Sequence, residues 1–225
     1  MYEKVKLSKR QIKEDKFTAF MLSSKKQMEE NWQYYAIAAV VMVLLVVGII
    51  YYLDSRSDSS NLAATQLAQA TMQYRQGNSQ VAILTLSDIV TKYGSTGFAE
   101  QATFLLGKIN LETRNYEEAK LYFELYLEKY KEHELNRAAS LAGLGVAFEN
   151  QGRYDEAAAQ FEKAVQEYPE SALLSDLHYG AMRNYLMAGQ SEKAKVHLDV
   201  ITELFGGTKV ATDAALLFYE KAKTS

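Results

Sequence analysis

The stretch that decides the fold is Gly145-Val-Ala-Phe148-Glu-Asn-Gln-Gly152-Arg-Tyr154-Asp-Glu-Ala157-Ala-Ala-Gln-Phe161-Glu-Lys-Ala164-Val-Gln-Glu-Tyr-Pro169. Two apolar-periodic runs meet at Gly152, where the chain needs a backbone angle that glycine adopts freely. The tetrad Tyr154-Asp-Glu-Ala157 recurs as Tyr116-Glu-Glu-Ala119, Ser191-Glu-Lys-Ala194 and Ser79-Gln-Val-Ala82. Its four alanines are spaced 37, 38 and 37 residues apart. Gly77, Gly152 and Gly189 stand five positions before their alanines, and in the second copy Asn115 is expected to make the turn. A large apolar residue follows each alanine by four: Leu86, Phe123, Phe161 and Leu198. A pair of helices cannot bury its apolar face alone, so a fixed period of this length implies four stacked pairs.

These residues resemble the tetratricopeptide repeat. In the third copy Gly145, Phe148, Gly152, Tyr154, Ala157, Phe161, Ala164 and Pro169 fall where that family's pattern has them. The second copy keeps Gly107, Tyr116, Ala119 and Phe123, while Ala70 and Met182 take the small-residue position in the first and fourth. The resemblance spans about 65–205 and implies an all-α superhelix of four helix pairs. Residues 208–223 read as a further capping helix, with Val210, Ala214, Leu217 and Phe218 turned inward and Lys209, Asp213, Glu220 and Lys221 outward. Because the period exceeds the family's usual one, longer links are expected between pairs, as at Tyr93–Phe98 and Lys131–Leu135.

In that family the first helix of each pair lines a concave groove. Carried over copy by copy, the groove positions are Leu67, Thr71, Tyr74 and Arg75; then Phe104, Lys108, Leu111 and Glu112; then Val146, Glu149 and Asn150; then Tyr179, Arg183, Leu186 and Met187. Such a mixture suits an extended or helical segment of another protein. Phe104 and Tyr179 are expected to touch that partner with little role in stability. The family members that clamp a C-terminal carboxylate use Lys and Asn where this chain has Leu67, Phe104, Ala142 and Tyr179, so that mode is not expected.

No catalytic constellation stands out. Gly143-Leu-Gly145 lacks a third glycine and sits inside a helix, so it reads as packing and not as a nucleotide loop. Glu117-Glu118 and Asp155-Glu156 open helices, where carboxylates favour the helix dipole. His178 and His197 read as separate packing or surface residues, and Tyr116, Tyr122, Tyr126, Tyr130 and Tyr154 as repeat core. Cysteine is absent among the 225 residues, which removes disulfides, thiolate nucleophiles and Cys-ligated zinc. No cofactor, metal or small-molecule ligand is expected.

The net charge of −3 conceals an asymmetry. Residues 1–30 carry eight Lys/Arg against five Asp/Glu, leaving 17 basic and 23 acidic residues after them. Neither part has the strongly basic face of a nucleic-acid binder. Between them, Asn31–Leu53 holds 23 residues without a charge, enough for roughly 34 Å of helix against a hydrocarbon core of about 30 Å. Its centre, Ala36–Ile50, has ten Val, Ile or Leu, and aromatic rings flank it at Trp32, Tyr34, Tyr35, Tyr51 and Tyr52. It reads as an uncleaved signal-anchor, since no A-x-A-like site follows and the leader is long. The positive-inside rule puts the N-terminus in the cytoplasm and residues from 54 onward on the far side.

The expected organisation is therefore a basic cytoplasmic leader (1–30), a transmembrane helix (31–53), a polar linker (54–61) and an extracytoplasmic repeat domain (62–225). A weak stripe of Phe17, Phe20, Met21, Ser24 and Met28 leaves the leader open between membrane-surface helix and solvated segment. With its leader Lys6-Leu-Ser-Lys9-Arg10-Gln-Ile-Lys13-Glu-Asp-Lys16-Phe17, the layout is similar to the bacterial family of ancillary Sec-translocon subunits. That resemblance implies a single-pass inner-membrane protein that meets translocon subunits, periplasmic chaperones or exported clients. The alternative is a scaffold for cell-wall, division or secretion machinery.

Overall fold

The computed structural model describes residues 18, 20, 21 and 31–222, with the side chains of 52–57 and 222 excepted. The leader and its apolar stripe thus lie outside the described residues, save for Thr18, Phe20 and Met21. Among the described residues, nine helices follow one another without a strand. They are α1 (Trp32–Arg75), α2 (Ser79–Lys92), α3 (Gly97–Glu112), α4 (Tyr116–Lys129) and α5 (Glu134–Asn150). After them come α6 (Tyr154–Glu167), α7 (Leu174–Met187), α8 (Ser191–Phe205) and α9 (Lys209–Ala222). The chain divides into two compact units, Met1–Ser57 and Asp58–Ser225.

In the first unit, Trp32–Tyr51 has a mean hydropathy of 2.5, and every one of its side chains is exposed. It is long and apolar enough to cross a membrane. Residues 54–61, expected as a polar linker, are helical and belong to α1, and the boundary between the two units falls among them. Their Ser, Asp and Asn side chains lower helix propensity by only tenths of a kcal/mol each, so a helix bounded on both sides by strong formers continues through them.

The second unit is the repeat array. The end of α1 pairs with α2, α3 with α4, α5 with α6 and α7 with α8, while α9 covers the last pair. All four register alanines (Ala82, Ala119, Ala157 and Ala194) are completely buried, and so are Ala70 and Met182. The aromatic wedges explain why small residues are required opposite them. Phe123 on α4 lies between Gly107 of α3 and Gly143 of α5, where an added Cβ would stand 2.6 and 2.4 Å from its ring. Phe161 on α6 lies in the same way between Gly145 of α5 and Gly180 of α7, at 2.6 and 2.5 Å. Gly143 and Gly145 are thus both packing residues of α5, the first against the preceding pair and the second against α6 of its own pair.

Each pair turns through three residues with the same hydrogen bonds. The amides of Asn78, Asn115, Arg153 and Gln190 reach back to the carbonyls of Gln73, Asn110, Phe148 and Tyr185 at 2.8–3.0 Å. The residue before each of these amides takes positive φ: Gly77, Gly152 and Gly189 in three copies, but Arg114 (φ 63°) in the second. Asn115 stands in the turn as expected, but with φ −84° it leaves the positive angle to Arg114. Arg114 occupies the glycine position because the register fixes the turn five residues before Ala119, whatever side chain is there.

The expected links at Tyr93–Phe98 and Lys131–Leu135 are four residues each, 93–96 and 130–133, and the long link is 168–173. In the earlier repeats the added length lies mainly in α3 (16 residues) and α5 (17 residues) against 14 in α7. Arg137 of α5 secures the link at 130–133 by donating to the carbonyls of Leu127 and Tyr130 at 2.7 and 2.6 Å, and to the Tyr168 hydroxyl at 2.7 Å. Of the five tyrosines expected in the core only Tyr126 is fully buried; Tyr116, Tyr122, Tyr130 and Tyr154 are half-buried. In α9, Ala214 and Phe218 are buried and Val210 and Leu217 partly so, while Lys209, Asp213, Glu220 and Lys221 are exposed.

Two substitutions test this account on the full chain in detergent, with urea unfolding followed by circular dichroism. Arg114→Gly relieves an unfavourable left-handed residue and raises stability by about 1 kcal/mol. Gly180→Ala drives a methyl group into Phe161 and lowers stability by about 1–3 kcal/mol despite its better helix propensity. Adding Phe161→Leu to Gly180→Ala recovers part of that loss if the ring is the obstacle.

Candidate functional site

Each first helix buries one face against its neighbours and leaves another less covered. On α3 the packed face is Ala102, Thr103, Leu106, Gly107, Ile109 and Asn110. The other face carries Phe104, Lys108, Leu111 and Glu112, at the i, i+4, i+7, i+8 spacing of neighbours on a helix. The equivalent residues are Leu67, Thr71, Tyr74 and Arg75 on α1; Ala142, Val146, Glu149 and Asn150 on α5; and Tyr179, Arg183, Leu186 and Met187 on α7.

Several of these side chains link one first helix to the next. The Tyr74 hydroxyl donates to Glu112, which, with burial and the nearby carboxylate charge, pushes the phenol up to about 12. Glu149 Oε2 accepts from Arg183 Nη2 at 2.6 Å and from Asn184 Nδ2 at 3.1 Å. The Arg183 guanidinium also lies 5.4 Å from the Tyr179 ring centre. Asn150 Oδ1 accepts from the Tyr116 hydroxyl at 3.1 Å. A second row of contacts follows at the turns, with Gln151 donating to Glu117 at 2.8 Å and Gln190 to Asp155.

The eleven candidate residues therefore fall into three groups. Tyr74, Glu112, Glu149, Asn150 and Arg183 join neighbouring repeats. Phe104, Leu111 and Tyr179 are half-buried against the core; Phe104 meets Phe123 edge-on at 6.3 Å and Tyr126 at 5.6 Å. Arg75, Lys108 and Met187 are exposed, and no hydrogen bond or ion pair engages them among the described residues. Leu67, carried over as a groove position, is 8% exposed and belongs to the first core cluster.

Two features lay outside the sequence reading. His178 and His197, read as separate, meet across α7 and α8 with their Nδ1 atoms 2.9 Å apart. The repeat spacing carried the signal, since both fall on packing faces of the fourth pair. A cleft of about 430 Å³ also opens between the N-terminal ends of α3 and α5, lined by Phe98, Glu100, Gln101, His133 and Asn136. Its Glu100 carboxylate is already bonded by the Tyr126 hydroxyl at 2.6 Å.

Residues 25–177 match the family model described as a tetratricopeptide repeat-like domain. The chain belongs to this family. A second tetratricopeptide repeat model matches residues 150–212. Among solved structures, a Podosopora anserina protein assigned as a kinesin light chain, with nearly identical TPR-like repeats, shares 17% identity. It aligns over 73% of this chain and 87% of its own, with a TM-score of 0.57. A single-substitution variant of that protein gives 17% identity, 73% and 86% coverage and a TM-score of 0.58. MamA (AMB-1) shares 19% identity over 67% of this chain and 96% of its own, with a TM-score of 0.40. A comparison with curated proteins gives no match. The tetratricopeptide repeats make this chain a protein–protein interaction module, of a fold that typically serves as a non-catalytic scaffold.

The three groups separate by mutation. Phe104→Ala removes the ring that touches Phe123 and Tyr126 and costs about 2–3 kcal/mol of stability, below the range for a fully buried ring. Lys108→Glu changes only an exposed charge and leaves stability within about 0.5 kcal/mol. Equal losses in urea unfolding would contradict this division of the inner face.

Proposed function

We propose that this protein is a membrane-anchored adaptor of protein export in a bacterial envelope. Trp32–Tyr51 holds it in the inner membrane, with the basic leader in the cytoplasm and the repeat domain in the periplasm. The inner face of the array then takes segments of translocon subunits, periplasmic chaperones or exported clients. What carries this reading is the joining in one chain of an apolar, fully exposed helix to an array whose inner face keeps Arg75, Lys108 and Met187 available. The family match supports treating them as one working unit, since it begins at residue 25 and takes in the apolar segment with the repeats.

A second reading, a scaffold for an envelope assembly, draws on the links between first helices. Glu149 with Arg183 and Tyr74 with Glu112 hold the inner face in one shape, which favours a folded partner of matching outline over heterogeneous unfolded chains.

Photo-crosslinking in native membranes from positions 75, 108 and 187, followed by mass spectrometry, separates the two. The export reading expects translocon subunits, chaperones and newly exported chains; a single stoichiometric envelope protein replaces it with the scaffold. Protease added to spheroplasts is expected to digest the repeat domain and spare the leader. A protected repeat domain would overturn the proposed orientation.

A further inference from the structure

His178 of α7 and His197 of α8 are both buried, and their Nδ1 atoms face one another at 2.9 Å. At that distance one Nδ1 carries a hydrogen and the other accepts it, because two N–H groups or two lone pairs repel. From α6, Glu162 accepts the Tyr185 hydroxyl hydrogen, and its negative charge acts on His197. From α7, the Tyr185 ring stacks on His197 at 5.7 Å. From α8, Lys193 stands 5.1 Å from the centre of the Tyr185 ring. The side chains that α9 packs into this end of the core, Val210, Ala214 and Phe218 among them, do not titrate.

Burial pushes both imidazoles toward their neutral forms. It lowers His178 to about 4, helped by the charge that His197 acquires. His197 is lowered as well, with the Glu162 carboxylate opposing the effect of burial. One added proton is therefore tolerated: an imidazolium at His197 donates its Nδ1–H to His178 and has Glu162 as counter-charge. A second proton leaves no acceptor, and it puts two positive charges within one buried hydrogen-bond length.

We propose that His178 and His197 form an acid-operated latch that ties α7 to α8 while one Nδ1 is unprotonated and releases them when both are charged. Release exposes the apolar faces that α8 and α9 share, and it displaces α7, the helix carrying Tyr179, Arg183 and Met187. The latch is a property of the fourth pair and stands independently of the partner assigned to the groove. Its direction follows from linkage. An unfolded histidine titrates near about 6.5, so between roughly pH 6.5 and 4 the unfolded chain holds more protons than the folded one. The stability contributed by the neutral pair is present above that window and is lost as pH falls through it.

Hydrogen–deuterium exchange of the full chain in detergent, corrected for intrinsic rates, tests this at about pH 7 and 4.5. Protection of α7–α9 is expected to fall by about tenfold or more, while α3–α6 hold theirs. His178→Gln, whose amide still bonds with His197 but does not titrate, is expected to abolish the selective loss. Should that variant not fold, nitrogen NMR of the wild-type imidazoles decides instead, with His178 staying neutral to about pH 4.5. Uniform loss across all helices, unchanged α7–α9, an equal loss in His178→Gln, or a His178 titrating near its ordinary value of about 6.5 would each overturn the latch.

Discussion

Phe123 and Phe161 each press a ring into the space left by two missing side chains, and the spacing of the helix pairs follows from that contact. Gly107 and Gly143 bracket the first ring, Gly145 and Gly180 the second, so α5 supplies one glycine to each. A ring that touches two neighbouring first helices fixes the distance between them, which a contact within one pair cannot do. Glycine inside a helix sacrifices about 1 kcal/mol relative to alanine. Four such positions on three adjacent helices are retained because each makes room for a buried aromatic ring, worth several kcal/mol. The outer copies have Leu86 and Leu198 in place of the rings, and both are buried as fully as the rings are.

The polar groups on the inner face follow from that spacing. Once first helices sit at a fixed distance, a tyrosine or arginine on one reaches a carboxylate on the next. Tyr74 reaches Glu112, and Arg183 reaches Glu149. These contacts lie about one repeat apart in sequence, so they stiffen the array along its length and leave individual pairs unchanged. The unbonded part of that face is narrower than its full width: a few exposed side chains stand among groups already bonded to one another.

The architecture was legible because its signal was periodic. Four alanines at nearly constant spacing placed every pair, the apolar pattern of 208–223 placed the capping helix, and all four alanines are fully buried. The misreadings arose where a residue type was weighed without its place in that period. Asn115 does lie in its turn, yet the period assigns the unusual backbone angle to Arg114. His178 and His197 were read as separate although the period sets them on facing sides of one pair. Residues 54–61 carry the composition of a linker, and they are helical because several polar side chains are compatible with a helix that is already under way. The roles of groove residues were the least legible. Whether Phe104 faces a partner or its own core depends on the rotation of α3 and the reach of Phe123, which no spacing rule encodes.

The turns and links divide the chain into places where length is fixed and places where it can change. Within each pair the connection is three residues: 76–78, 113–115, 151–153 and 188–190. One extra residue there would shift the positive-φ position and rotate the following helix by about 100°, carrying its buried alanine out of the core. The links between pairs obey no such limit, with four residues at 93–96 and 130–133, six at 168–173 and three at 206–208. Insertions, tags and drift in repeat length therefore have a natural home between pairs. Duplication of a unit cut at those links would lengthen the array without disturbing the contacts that hold it together.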